Sequence, residues 1–236
     1  MGAGMKDNKQ IKMLLWDVDG TLLDFLAAER VAIRACFEKF GFGECSDEML
    51  AEYSEINRKY WKMLERGEMT KHEILVGRFH EFFGKHGIDA TVAEDFNSEY
   101  QIRLGDTIVF HENALETVRE LRDRFIQCAV TNGTKIAQDK KLKASGLADI
   151  FDYVFISEEV GFEKPAREFF DVVAERTGVD MDEAMIIGDS LTSDMKGGNN
   201  GGIITCWYNP EGLDAPDDLR IDYDIRKLGE LVEILG

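Results

Sequence analysis

Short apolar runs recur along the chain, and each ends in a polar cluster. Residues 11–16 (Ile-Lys-Met-Leu-Leu-Trp) run into Asp17. Residues 126–131, 153–156, 184–187 and 203–206 have the same character. Their length and near-continuous hydrophobicity predict buried parallel strands rather than helices. The intervening segments carry a helical period. Residues 114–124 place Leu115, Val118, Leu121 and Arg122 on adjoining turns, and residues 165–176 open with Pro165 and bury Phe169, Val172 and Val173. Strand–helix alternation predicts an α/β fold: an open parallel sheet with helices on both faces. A last strand around Tyr223–Ile225 and a helix from Arg226 complete the pattern.

Residues 24–105 break the alternation. They contain no proline and read as four helices, at roughly 24–40, 47–66, 71–87 and 91–104. Gly41 and Gly43 end the first, and Ser46 caps the second. A structureless loop of that length is implausible inside a compact chain. The economical division is therefore an α/β core of residues 1–23 and 106–236, with a helical insert at 24–105.

Composition narrows the function. The 236 residues carry 28 Lys and Arg against 46 Asp and Glu, a formal charge of −18. Such a surface repels a phosphate backbone and argues against a nucleic-acid polymer as partner. A small anionic substrate would need local positive charge. No apolar run is long enough for a membrane span, and residues 1–10 contain no apolar leader core. Four scattered cysteines without metal-type spacing read as reduced thiols, and a cytoplasmic location is expected.

Open parallel sheets bind ligands at the carboxyl ends of their strands. Those ends here carry Asp17-Val18-Asp19-Gly20-Thr21, Thr131-Asn132-Gly133, Lys164-Pro165 and Gly188-Asp189-Ser190-Leu191-Thr192-Ser193-Asp194. Asp17, Asp19, Asp189 and Asp194 would converge at one edge, and their mutual repulsion calls for a cation. Oxygen-only ligands favour Mg²⁺. With Lys164 it would make a positive pocket on an acidic protein. The Thr131 hydroxyl, the Asn132 amide and helix-start N–H groups suit phosphate oxygens.

These four motifs, in this order, resemble those of the haloacid dehalogenase-like (HAD) hydrolases, and the helical insert resembles their C1-type cap on a Rossmann-like core. The resemblance implies that Asp17 is the nucleophile and forms an aspartyl-phosphate. Asp19 would protonate the leaving group and then activate water. It further implies Mg²⁺ held by Asp17, the Asp19 backbone carbonyl and Asp189. Asp194 would orient a metal-bound water or Lys164, while Thr131, Asn132 and Lys164 stabilise the transferring phosphoryl group. Because Asp19 is present, phosphoryl transfer is expected over carbon–halogen cleavage.

A narrower resemblance, through Asp-Gly-Thr-Leu-Leu-Asp-Phe, Gly161-Phe162-Glu163-Lys164-Pro165 and Cys206-Trp207-Tyr208-Asn209-Pro210, is to YjjG-type bacterial pyrimidine 5′-nucleotidases. It implies a small phosphate monoester as substrate. A phosphosugar phosphatase, a phosphoglucomutase-like enzyme and a non-catalytic phosphometabolite-binding protein are the alternatives. The cap aromatics Tyr53, Tyr60, Trp61, Phe79, Phe82 and Phe83 read as core rather than as nucleobase platforms. Phe25, beside the catalytic loop, is the candidate substrate contact. Arg78 and Arg103 read as surface cover.

Overall fold

The structure is a computed structural model that describes residues 10–236. The reading of the amino terminus as lacking a leader falls on residues outside this range but for Gln10. Strand β1 (Met13–Trp16) is followed by helices α1 (Phe25–Phe40), α2 (Asp47–Glu65), α3 (Lys71–His86) and α4 (Ala93–Leu104). The rest alternates: α5 (Ala114–Leu121), β2 (Ile126–Thr131), α6 (Lys135–Ser145), β3 (Tyr153–Ile156), α7 (Ser157–Val160) and α8 (Arg167–Thr177). Then come β4 (Ala184–Gly188), α9 (Lys196–Gly201), β5 (Ile204–Tyr208), β6 (Tyr223–Ile225) and α10 (Glu230–Ile234).

Two compact units result. The first comprises residues 10–22, Glu112–Thr131 and Ile150–Gly236; the second comprises Leu23–His111 and Asn132–Asp149. The first unit is built on a six-stranded parallel sheet in the order β3-β2-β1-β4-β5-β6. β1 lies between β2 and β4, with Trp16 opposite Ala129 on one side and Ile187 on the other. All four β1 residues are fully buried, which explains why their sequence is apolar without alternation. Met13 and Leu15 join Val130, Ile186, Phe169 and Phe170 in one core. The chain leaves β1 in opposite directions to build the two halves of the sheet, so a crevice is expected at the carboxyl ends of β1 and β4.

The second unit is helical, with an aromatic interior of Phe37, Tyr53, Phe79, Phe82, Phe83, Phe96 and Tyr100. The expected core role of the cap aromatics holds for these buried rings, while Tyr60 and Trp61 pack at the edge of a smaller cluster. Local signals set its helix ends. The Asp24 carboxylate accepts the Ala27 N–H at 2.9 Å, Gly41 ends α1, and Ser46 caps α2 by accepting from Met49. Thr70 and Glu73 form a reciprocal capping box at α3.

Two helix starts differ from the sequence expectation. Pro165 does not open a helix: the Ala166 N–H donates to Glu163 O in a turn, Lys164 is drawn inward by buried acceptors, and α8 starts at Arg167. The last helix starts at Glu230 rather than Arg226, because the Glu230 carboxylate accepts the N–H groups of Arg226 and Lys227 ahead of it.

The four cysteines are buried and unpaired, as free thiols. Burial pushes the thiols up, to about 12 for Cys36 and about 11 for Cys45, and raises Cys128 and Cys206 as well. Near pH 8 the nucleophilic thiolate is therefore scarce. A disulfide-exchange reagent should react with none of the four in the native protein and with all four after denaturation. Rapid native labelling would contradict this placement.

Candidate active site

Asp17 follows β1 directly, and its backbone N–H donates to Ile187 O at 2.9 Å, which fixes the exit of β1 beside β4. Asp189 follows β4, and Asp194 lies in a π-helical turn, Leu191–Met195, begun by Ser190. One carboxylate oxygen from each of Asp17, Asp189 and Asp194 falls within 4.8 Å of the others. Lys164, only 1% exposed, places Nζ 2.8 Å from Asp17 Oδ1, 2.6 Å from Asp194 Oδ1 and 2.8 Å from Val130 O. One buried ammonium thus donates to two carboxylates and to the backbone of β2.

Two glycines allow this density. Gly20 has φ +98°, and a Cβ there would lie 2.8 Å from both Asp189 carboxylate oxygens. A Cβ on Gly188 would lie 2.2 Å from Asp194 Oδ2. No side chain fits at either position without displacing a carboxylate. The Thr21 hydroxyl donates to Asp189 Oδ1 at 2.9 Å and accepts the Asp189 N–H at 3.0 Å. The Trp207 indole N–H donates to Asp189 O at 2.9 Å. Asp194 has both oxygens engaged, Oδ1 by Lys164 and Oδ2 by the Ser190 N–H at 3.1 Å.

Electrostatics follow from this crowding. Burial raises the Asp17 carboxyl well above the usual carboxylate range; Lys164 opposes this, and Asp194 and Asp189 add to it. Asp189 is pushed up to about 7 by the surrounding protein and then by Asp194, although its outer side stays exposed to solvent. Water tempers that burial, but the direction is upward because a second carboxylate stands beside it. Burial alone would lower Lys164; the carboxylates of Asp17 and Asp194 outweigh it and hold the ammonium charged.

The donor set is all oxygen, carries excess negative charge and fits a hard divalent cation. A groove at the other end of the sheet, lined by Lys12, Arg122, Arg124 and Tyr153, lies at the amino ends of the strands and is separate from this cluster.

The remaining sequence candidates are placed as follows. Asp19 is half-buried in the turn after β1. Thr131 is buried at the end of β2, and Asn132, the next residue, is half-buried and belongs to the helical unit. Phe25, the first residue of α1, packs at the edge of the helical core, with the Lys141 ammonium 5.2 Å from its ring centre. Arg103 is a surface residue paired with Glu99. Arg78 is not surface cover, contrary to the sequence expectation. It is 1% exposed, because Asn57, Asn97 and the Leu75 carbonyl satisfy its guanidinium inside the helical unit. The supporting role of Thr21 was also missed, although its place in the Asp-Gly-Thr motif was the available signal.

Residues 11–202 match the model of the haloacid dehalogenase-like hydrolases. YfnB of Bacillus subtilis, a chain named for the HAD-hydrolases, is 38% identical over 97% of each chain. The pyrimidine 5′-nucleotidase PynA of Streptococcus pneumoniae is 34% identical over 95% of this chain and 94% of its own. A crystal structure of B. subtilis YfnB, described as bound to magnesium and as revealing interdomain movement, superposes with a TM-score of 0.91 at 38% identity. It covers 97% of this chain and 100% of that one.

Proposed function

The chain belongs to the haloacid dehalogenase-like hydrolases, and on that premise we propose that it is a Mg²⁺-dependent phosphomonoesterase acting through an aspartyl-phosphate, with pyrimidine nucleoside 5′-monophosphates as substrates. The observation that carries this reading is that Asp17 and Asp189 follow the neighbouring strands β1 and β4, with the buried Lys164 Nζ 2.8 Å from Asp17 Oδ1.

In this reading Asp17 attacks phosphorus, the ester oxygen leaves and Asp19 gives it a proton. Asp19 then takes a proton from the water that cleaves the acyl phosphate and regenerates Asp17. Lys164, kept charged by its neighbours, and the Thr131 and Asn132 side chains stabilise the phosphoryl oxygens. Asp17, the Asp19 backbone carbonyl and Asp189 hold Mg²⁺. Asp194, fully engaged, orients Lys164. When bound, the cation neutralises the crowded carboxylates and the incoming phosphate charge.

Residues 24–105 act as the cap that excludes water during transfer, and Phe25 meets the substrate. The interdomain movement described for YfnB supports a moving cap. PynA and YjjG of Escherichia coli, both named pyrimidine 5′-nucleotidases, support the substrate class.

The test is phosphate release from a panel of nucleoside monophosphates and sugar phosphates, with Mg²⁺ and with EDTA. Release from uridine and thymidine monophosphates should exceed that from the sugar phosphates and should vanish with EDTA. Interconversion of sugar phosphate isomers with little free phosphate would indicate a mutase. Binding with no release across the panel would indicate a phosphometabolite-binding protein.

A further inference from the structure

A single chain of hydrogen bonds crosses the interior of the helical unit and ends beside Asn132. It starts at Glu29, whose carboxylate accepts from Asn57 Nδ2 at 2.7 Å. Asn57 Oδ1 accepts from Arg78 Nη1 at 2.6 Å, and Arg78 Nη2 donates to Asn97 Oδ1 at 3.0 Å. Asn97 Oδ1 also accepts from Gln101 Nε2 at 3.1 Å, and Gln101 Oε1 accepts from the Thr134 hydroxyl at 2.7 Å. Glu29, Asn57, Arg78, Gln101 and Thr134 are all buried.

The order of donors and acceptors is forced. A guanidinium has only donors, so Asn57 and Asn97 must turn their oxygens toward Arg78. Asn97 then has its oxygen, not its nitrogen, to offer Gln101. Gln101 must point its amide nitrogen at Asn97 and its oxygen at Thr134. The Thr134 hydroxyl must therefore donate.

Thr134 is the residue before α6, where a threonine oxygen ordinarily accepts a helix N–H; here it makes no side-chain cap. The local cap has given way to a tertiary bond. A second tether reaches the same turn from α3, where Lys71 Nζ lies 3.4 Å from Gly133 O.

We propose that Gln101 is a positioning residue, which Arg78 and Asn97 lock in one amide orientation so that it holds Thr134 and, through it, the Asn132–Gly133 turn in the conformation that phosphoryl transfer requires. The inference rests on the reading of Asn132 as a phosphate ligand. The network lies wholly inside the helical unit and meets the Thr131-Asn132-Gly133 motif at that turn.

The experiment compares Gln101→Ala, Thr134→Val, Thr134→Ser, Asn132→Ala and the Gln101→Ala/Thr134→Val double variant in the full chain, with para-nitrophenyl phosphate and Mg²⁺. Gln101→Ala and Thr134→Val should each lower kcat about 10- to 100-fold with a smaller change in KM, as expected for a misplaced transition-state contact. Thr134→Ser keeps the donor and should restore kcat to near the wild-type value. The double variant should be no slower than the worse single one, because both remove the same bond.

The Asn132 side-chain amide provides a readout besides activity. It should give one sharp pair of NMR cross-peaks, from its two N–H protons, in the wild type and a shifted or broadened pair in Gln101→Ala. An unmoved pair, or unchanged kcat in Gln101→Ala alongside a slow Asn132→Ala, overturns the positioning role. A fully active Asn132→Ala with a shifted pair in Gln101→Ala overturns the phosphate-ligand reading instead.

Discussion

An Asp17→Asn variant is expected to lose on the order of 10⁴- to 10⁶-fold in kcat while keeping its fold, because an amide cannot form the covalent intermediate. Its stability should move in the less obvious direction. Burial and the charges of Asp194 and Asp189 raise the Asp17 carboxyl, so its ionised form is disfavoured in the folded chain. An acid raised by folding costs stability above its folded pKa and regains it as the pH falls. Removing that charge at neutral pH should leave the thermal midpoint in EDTA unchanged or higher. Single-turnover phosphate release and a melting curve in EDTA test the two halves. Retained turnover would refute the nucleophile, and a large drop in midpoint would refute the charge argument.

Lys164→Met should have the largest effect on stability. It leaves the Asp17 and Asp194 carboxylates without their common cation and deprives Val130 O of a donor. Removing one partner from a buried ion pair costs about 3–5 kcal/mol. Activity should fall with it, since the same ammonium faces the nucleophile. The loss of stability should shrink as the pH falls, because Asp17, left without the Lys164 charge that favours its ionised form, takes up a proton more readily. Denaturant midpoints at several pH values read this directly. A shift at neutral pH under about 1 kcal/mol, the scale of a surface pair, would show that the ammonium is not balancing the cluster.

The sheet and the residues at its edge were legible for a common reason. In β1 and β4 an apolar stretch, buried on both faces, stops at an aspartate, so one pattern marks both the strand and its functional end. Asp17 and Asp189 were found in this way, Asp194 and Lys164 from the polar motifs that follow β4 and β3, and the structure brings the four together. Arg78 was not legible. An arginine on an amphipathic helix reads as surface unless its partners are known, and Asn57 and Asn97 lie on other helices. The start of α8 was misplaced because the pull on Lys164 comes from Asp17 and Asp194, distant in sequence. Long-range polar contacts of this kind leave no periodic trace.

The central place of β1 also governs how the chain acquires its fold during synthesis. β1 is made first, yet Trp16 pairs with Ala129 and Ile187, which emerge much later. At about 5–20 residues per second, the gap between the two sides of that pairing is on the order of ten seconds or more. Throughout it, an apolar strand has no sheet to join. Among the described strands β1 therefore waits longest for its two partners, and its apolar residues are the ones exposed for the greatest part of synthesis.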